Sequence, residues 1–169
     1  MTRSLHLLPS AIAAAAIAAF VAACSSDGCL ENRSSIPLAA IYSSETDTKA
    51  TVTGLRIHGI GAPGDSLLVD ADHSFSELYL PMRSSMQSTS WCVAYAWEGF
   101  DSPEWNDTIT FTYTSQPYFA SEECGAMYNY MITKVEATAH VLDSVAVMDS
   151  LITNMDIVRI RLYYPVIQQ

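Results

Sequence analysis

The run Thr108-Ile109-Thr110-Phe111-Thr112-Tyr113-Thr114 constrains this chain more than any other segment. Threonine alternates with a large apolar residue throughout, so Ile109, Phe111 and Tyr113 fall on one side of an extended chain and the threonines on the other. A helix would scatter both sets around its axis. β-branched and aromatic residues also fit the pleated surface of a sheet. The run therefore predicts a strand with one face in a core.

Similar runs recur at short spacing. Leu38–Ser43, Val52–Ile60, Leu67–Asp70, Glu77–Leu80, Trp91–Glu98, Cys124–Thr133 and Ile157–Tyr164 read as strands. The turn signals between them are Gly59 and Gly61, Pro63-Gly64-Asp65, Pro81, Gly99 to Asp107, and Ser115 to Pro117. In the last strand Val158, Ile160, Leu162 and Tyr164 alternate with Arg159, Arg161 and Tyr163, a half-buried pattern. Val141 to Met155 is ambiguous, since Val141, Val145, Met148 and Ile152 recur at helical spacing while Val145 and Val147 alternate. Asp149, Ser150 and Thr153 are poor helix formers, so the reading is a strand pair around Asp149–Asn154. No repeat of fixed period and no second domain is visible. Many short strands with polar turns predict a single antiparallel β-sandwich over residues 37–169, immunoglobulin-like in general architecture.

The N-terminus follows different rules. Arg3 is followed by thirteen unbroken apolar residues, Ala11 to Ala23, and small residues precede Cys24. That is the order of an export signal, and the apolar stretch is too short for a bilayer, which needs about 20 residues. Val21-Ala22-Ala23-Cys24 resembles the lipobox of bacterial lipoproteins. The resemblance implies that residues 1–23 are a signal peptide, that cleavage precedes Cys24, and that Cys24 carries lipid. Two or more acyl chains, burying roughly 0.8 kcal/mol per methylene, anchor a protein stably. Residues 24–36, rich in serine and polar side chains, then read as a tether. Every acidic residue lies beyond Cys24, so the formal charge of −10 belongs to the exported part and loss of Arg3 deepens it. Such a surface repels nucleic acid and anionic headgroups. The membrane partner is reached through the lipid on Cys24.

Candidates for chemistry are sparse. Beyond the signal peptide the histidines are His58, His73 and His140, isolated in sequence. No nucleophile elbow, zinc-protease pair, phosphate loop or dinucleotide fingerprint is present, and a triad built from distant residues is recognised only by geometry. Asp70, Asp72 and His73 form one acidic cluster. Asp101, Glu104, Asn106 and Asp107 form another, in a loop that could offer calcium several oxygens but lacks EF-hand spacing and its central glycine. Solvated turn carboxylates are the simpler reading of both. Nine aromatics crowd Trp91 to Phe119. Trp91, Val93, Tyr95 and Trp97 share a strand face suited to a core, which leaves Trp105 in the acidic loop as the candidate ligand-binding aromatic. No catalytic residue, cofactor or metal is assigned.

From Cys24 onward the order of features resembles a family of small Bacteroidetes-type lipoproteins whose all-β domain has no known function. The shared features are the lipidated cysteine, Cys29 soon after it, Gly59-Ile60-Gly61, Asp65-Ser66-Leu67-Leu68, Leu80-Pro81, the Asp107–Tyr113 strand and Cys124-Gly125. The resemblance carries no catalytic residues, and it implies that Cys92 is the odd cysteine. An oxidising compartment favours a disulfide. Cys29–Cys124 would pin the tether to the sheet, with Cys29–Cys92 and Cys92–Cys124 as the competing pairs; zinc is disfavoured because the three cysteines lack CxxC spacing.

These observations predict a non-enzymatic lipoprotein of the cell envelope, at the outer membrane, that binds or supports a protein partner such as an outer-membrane barrel. A carbohydrate-binding accessory lipoprotein is the alternative, and an envelope hydrolase ranks third. An unpaired edge strand or flat apolar patch points to a protein partner, coplanar exposed aromatics to a glycan, and a pocket of converging polar groups to an enzyme.

Overall fold

The computed structural model describes residues 35–121 and 125–165. Residues 1–23, read above as a signal peptide, and Cys24, Cys29 and Cys124 lie outside the described residues, and with them the expected Cys29–Cys124 pairing. Ten strands appear within the described residues, in chain order β1 (Leu38–Ser43), β2 (Leu55–Gly59), β3 (Leu67–Val69), β4 (Glu77–Tyr79), β5 (Ser88–Tyr95), β6 (Asp107–Ser121), β7 (Gly125–Ala137), β8 (Ser144–Val147), β9 (Leu151–Ile152) and β10 (Val158–Tyr164). One sheet runs β4-β1-β10-β8 and the other β3-β2-β5-β6-β7-β9. One core cluster draws on both: Ala39, Ile41, Ile160, Leu162 and Tyr164 from the first, and Leu55, Ile57, Val93, Ile109, Phe111 and Tyr113 from the second. The chain is all-β and sandwich-like.

Alternation in sequence becomes alternation in burial. Along β5, Thr89, Trp91, Val93 and Tyr95 are buried while Ser90, Cys92 and Ala94 are half-buried on the outer face. Ile109, Phe111 and Tyr113 of β6 are at most 1% exposed. In β10, Ile160, Leu162 and Tyr164 face the core. Arg159 is also buried, with its guanidinium donating to Asp149.

Three features differ from the sequence expectation. All pairings are antiparallel except β1 with β10, which is parallel. Parallel neighbours need a long connection, and here nearly the whole domain separates the first strand from the last. The two strands around Asp149–Asn154 exist but do not pair with each other: β8 joins β10, and β9 joins β7. The chain changes sheets across the intervening bend, where the Asp149 carboxylate accepts from Leu151 N at 2.9 Å. Finally, Ser115 to Pro117 is no turn. β6 runs through it to Ser121, with Pro117 paired to Tyr128 of β7. Proline, lacking an N–H, is tolerated where a strand has a neighbour on one side only, and β5 stops pairing with β6 at Thr112.

Gly54 shows how tightly one corner is built. Its φ is +83°, and an added Cβ would lie 2.7 Å from Nε1 of Trp97. That indole donates to Thr53 O at 2.7 Å, so only glycine meets both the backbone and the ring there.

Candidate functional site

The β6–β7 hairpin has two ends with opposite character. At its root Asp107 is wholly buried. One carboxylate oxygen accepts from Thr138 Oγ1 (2.8 Å) and His140 N (2.9 Å), the other from Tyr95 Oη (2.7 Å), Val141 N (3.0 Å) and Leu142 N (2.8 Å). Burial pushes this carboxyl up, but the donors from His140, Leu142, Tyr95 and Val141 together outweigh it and hold the group below the ordinary carboxylate range. Asp107 is thus no solvated loop carboxylate. It ties β6 to β5 through Tyr95 and to the segment that leads into β8 through Thr138 and the 140–142 backbone.

Because Asp107 turns inward, the acidic loop loses a ligand. Asp101 and Glu104 stay exposed, and Glu104 accepts from Ser102 Oγ at 3.1 Å. Asp70 serves locally, accepting from Ala71 N at 2.7 Å and facing Arg56 at 3.6 Å. Among the described residues no group of three or more His, Cys, Asp and Glu is placed to hold a metal ion. Trp105 is partly exposed on a 3-10 turn at Pro103–Trp105, against Phe100 with ring centroids 5.2 Å apart and planes at 71°. The two rings meet edge-on and so form no single flat platform.

The histidines do not converge. His140 Nδ1 lies 2.9 Å from Asn106 O, and His73 stands beside Asp70 and Glu77. His58 is the cross-strand neighbour of Cys92. Cys92 is a free thiol, and burial followed by the Asp107 charge pushes it up, the opposite of what an activated nucleophile needs.

At the far end of the hairpin the covering layer runs out. Among the described residues, β6 beyond Thr112 has β7 on one side and no strand on the other, and β7 pairs with β9 at Tyr130 and Met131. The face that buries Ile109, Phe111 and Tyr113 continues to Pro117 and Phe119 on β6, and to Tyr130, Tyr128 and Ala126 on β7. Tyr113 and Tyr130 close the core with centroids 5.3 Å apart. Past them Tyr128 is 38% exposed and Phe119 70%. The chain enters the domain beside this hairpin: buried Ser35, within the residues read as tether, donates to Asn129 Oδ1 at 3.1 Å.

A second feature, missed by sequence reasoning, is a cleft of about 250 Å³ beside β3. Ala62, Leu67, Leu68, Pro81, Met82 and Trp91 form its apolar walls, with Ser66, Thr89 and Arg83 as polar lining. Arg83 is fixed through its backbone. The buried Tyr113 hydroxyl accepts from Arg83 N (2.9 Å), donates to Arg83 O (3.0 Å) and meets Thr89 Oγ1 (2.7 Å). A signal for this cleft in the sequence is hard to find, because Trp91 follows the core pattern and Arg83 has no neighbour that marks it. A larger, shallower hollow on the other side of β3 is acidic, with Asp70, His73 and Glu77 in its lining.

Among the described residues no helix is long and apolar enough to cross a membrane, which says nothing of a β-barrel. No curated protein and no solved structure matches the chain. A family match spans residues 50–164, from the connection between β1 and β2 through the last residue of β10, and so covers every strand of the sandwich but β1 among the described residues. The chain belongs to this family, described as a family of unknown function (DUF6452).

Proposed function

We propose that this chain is a lipoprotein of the Bacteroidetes-type bacterial envelope, anchored at the outer membrane through Cys24, whose β domain binds or supports a protein partner and performs no chemistry of its own. The observation that carries the reading is the uncovered end of the β6–β7 hairpin. Among the described residues it offers a strand edge with no partner together with an apolar face containing Pro117, Phe119 and Tyr128. A free edge plus an apolar face is the surface that strand addition uses: backbone hydrogen bonds supply affinity and alternate side chains supply selectivity. Ser35 brings the incoming chain to the same hairpin. Glycan binding at Trp105 ranks second, because Phe100 and Trp105 meet edge-on.

Two measurements test this. Metabolic labelling with a palmitate analogue marks the wild type and not Cys24→Ala; an unlabelled wild type refutes the anchor. A photo-crosslinking residue placed at Phe119 in cells gives a discrete adduct with an envelope protein, whereas the same residue at exposed Glu104 does not. Equal adducts at both positions, or none at Phe119, refute the partner surface.

A further inference from the structure

Every basic side chain among the described residues except one faces a carboxylate. Lys49 meets Glu77 (2.5 Å), Arg56 meets Asp70 (3.6 Å), Lys134 meets Glu136 (2.7 Å), Arg161 meets Asp47 (3.3 Å), and Arg159 meets Asp149. In a chain of formal charge −10 that is the expected fate of a cation. Arg83 is the exception. Its guanidinium reaches only two carbonyls, Ile60 O at 2.8 Å and Gly61 O at 3.5 Å. An arginine carries five donors in a rigid fork that matches a carboxylate, so donors and the whole charge remain unspent.

The surroundings make that unspent charge selective. Tyr113 and Thr89, 1% and 3% exposed, pin the Arg83 backbone from below, so the side chain is rooted on the rigid face of β5 and β6. The adjoining walls are apolar. The floor is Trp91, 7% exposed, whose buried indole N–H has no hydrogen-bond partner. An apolar cavity of about 150 Å³ holds benzene, so the cleft's roughly 250 Å³ suits a ring or short chain with a polar head.

We propose that the cleft between β3 and the Pro81–Arg83 segment is a binding site for a small apolar monocarboxylate, its body against Leu68, Met82 and Trp91 and its carboxylate on Arg83. This site is separate from the hairpin end and goes beyond the partner-binding reading. A dicarboxylate fits poorly, because the cleft offers one cation and the second charge would be left unpaired.

Titration of the purified full chain with 4-phenylbutyrate, and in parallel with 4-phenylbutanamide, tests it by following indole N–H resonances. The acid is expected to shift the Trp91 resonance saturably, and the amide to bind roughly tenfold or more weaker, since hydrogen bonds to charged groups are the stronger ones. Arg83→Gln should bring the acid down to the level of the amide with the fold intact by circular dichroism. Ala62→Leu, which fills the cleft and spares the charge, should weaken both. Equal affinity for acid and amide, an acid titration unchanged by Arg83→Gln, or no Trp91 shift at millimolar ligand overturns the assignment and leaves Arg83 as a tie between two turns.

Discussion

Phe111 and Phe119 sit on the same face of the same strand, yet Phe111 is 0% exposed and Phe119 is 70% exposed. Nothing in their local sequence separates them, since each is an aromatic at an alternate position of β6. The difference lies in what lies over and beside the strand. Phe111 has β5 and β7 on either side and β1 and β10 residues in the facing core layer. Among the described residues Phe119 has only β7 beside it, with the small Ala126 opposite. Hydrophobic alternation thus specifies which face of a strand is apolar. Whether that face is used for folding or left for another molecule depends on where the second sheet ends.

The largest test of that contrast is truncation of the buried member. Phe111→Ala removes a wholly buried ring from between the sheets and should cost about 3–5 kcal/mol of unfolding free energy, read from the denaturant midpoint. A loss below about 1 kcal/mol would mean that the facing layer does not pack on β6 as described.

Asp107 sharpens the same contrast by chemistry. Asp107→Asn keeps the shape but replaces one accepting oxygen with a donor that faces other donors, so a loss of about 2 kcal/mol is expected. Because its carboxyl is held below the ordinary value of 3.8, the folded state binds the proton less readily than the unfolded chain. Its stabilisation is therefore complete above that value and fades as pH falls through the lower folded value. Unfolding experiments between pH 6 and pH 2 should show an acid-side loss that is shallower in Asp107→Asn; identical slopes in the two proteins would remove Asp107 from its place as the hub of the hairpin root.

The strand faces were legible because each is a local property: β5, β6 and β10 bury most of the residues that alternation assigned to the core, though Trp97 and Val158 are only half-buried and Arg159, from the opposite set, is buried. What escaped depends on pairing across distance. Parallel β1–β10 joins the two ends of the domain, and the divergence of β8 from β9 is decided by their neighbours in different sheets. Pro117 reads as a strand breaker until β5 is seen to stop short of it. Asp107 reads as one acid among several in a loop, and only the fold brings Tyr95, Thr138 and the 140–142 backbone to it. Arg83 escaped for the same reason, since the significance of an unpaired cation emerges once all the other pairs are known.

The smallest effect on stability belongs to the most exposed ring. Phe119→Ala removes little buried area, and surface substitutions away from caps, cores and networks change stability by less than about 0.5 kcal/mol. The same substitution should sharply weaken capture of whatever protein is crosslinked from the hairpin end, because an aromatic flanked by a free strand edge is the kind of anchor that dominates small interfaces. Stability and capture thus separate at Phe119, while at Phe111 they fall together because the fold fails first. A Phe119→Ala protein that loses more than about 1 kcal/mol would show the ring to be packed in the folded domain. One that keeps both full stability and full capture would leave the hairpin end without a role for its aromatic face.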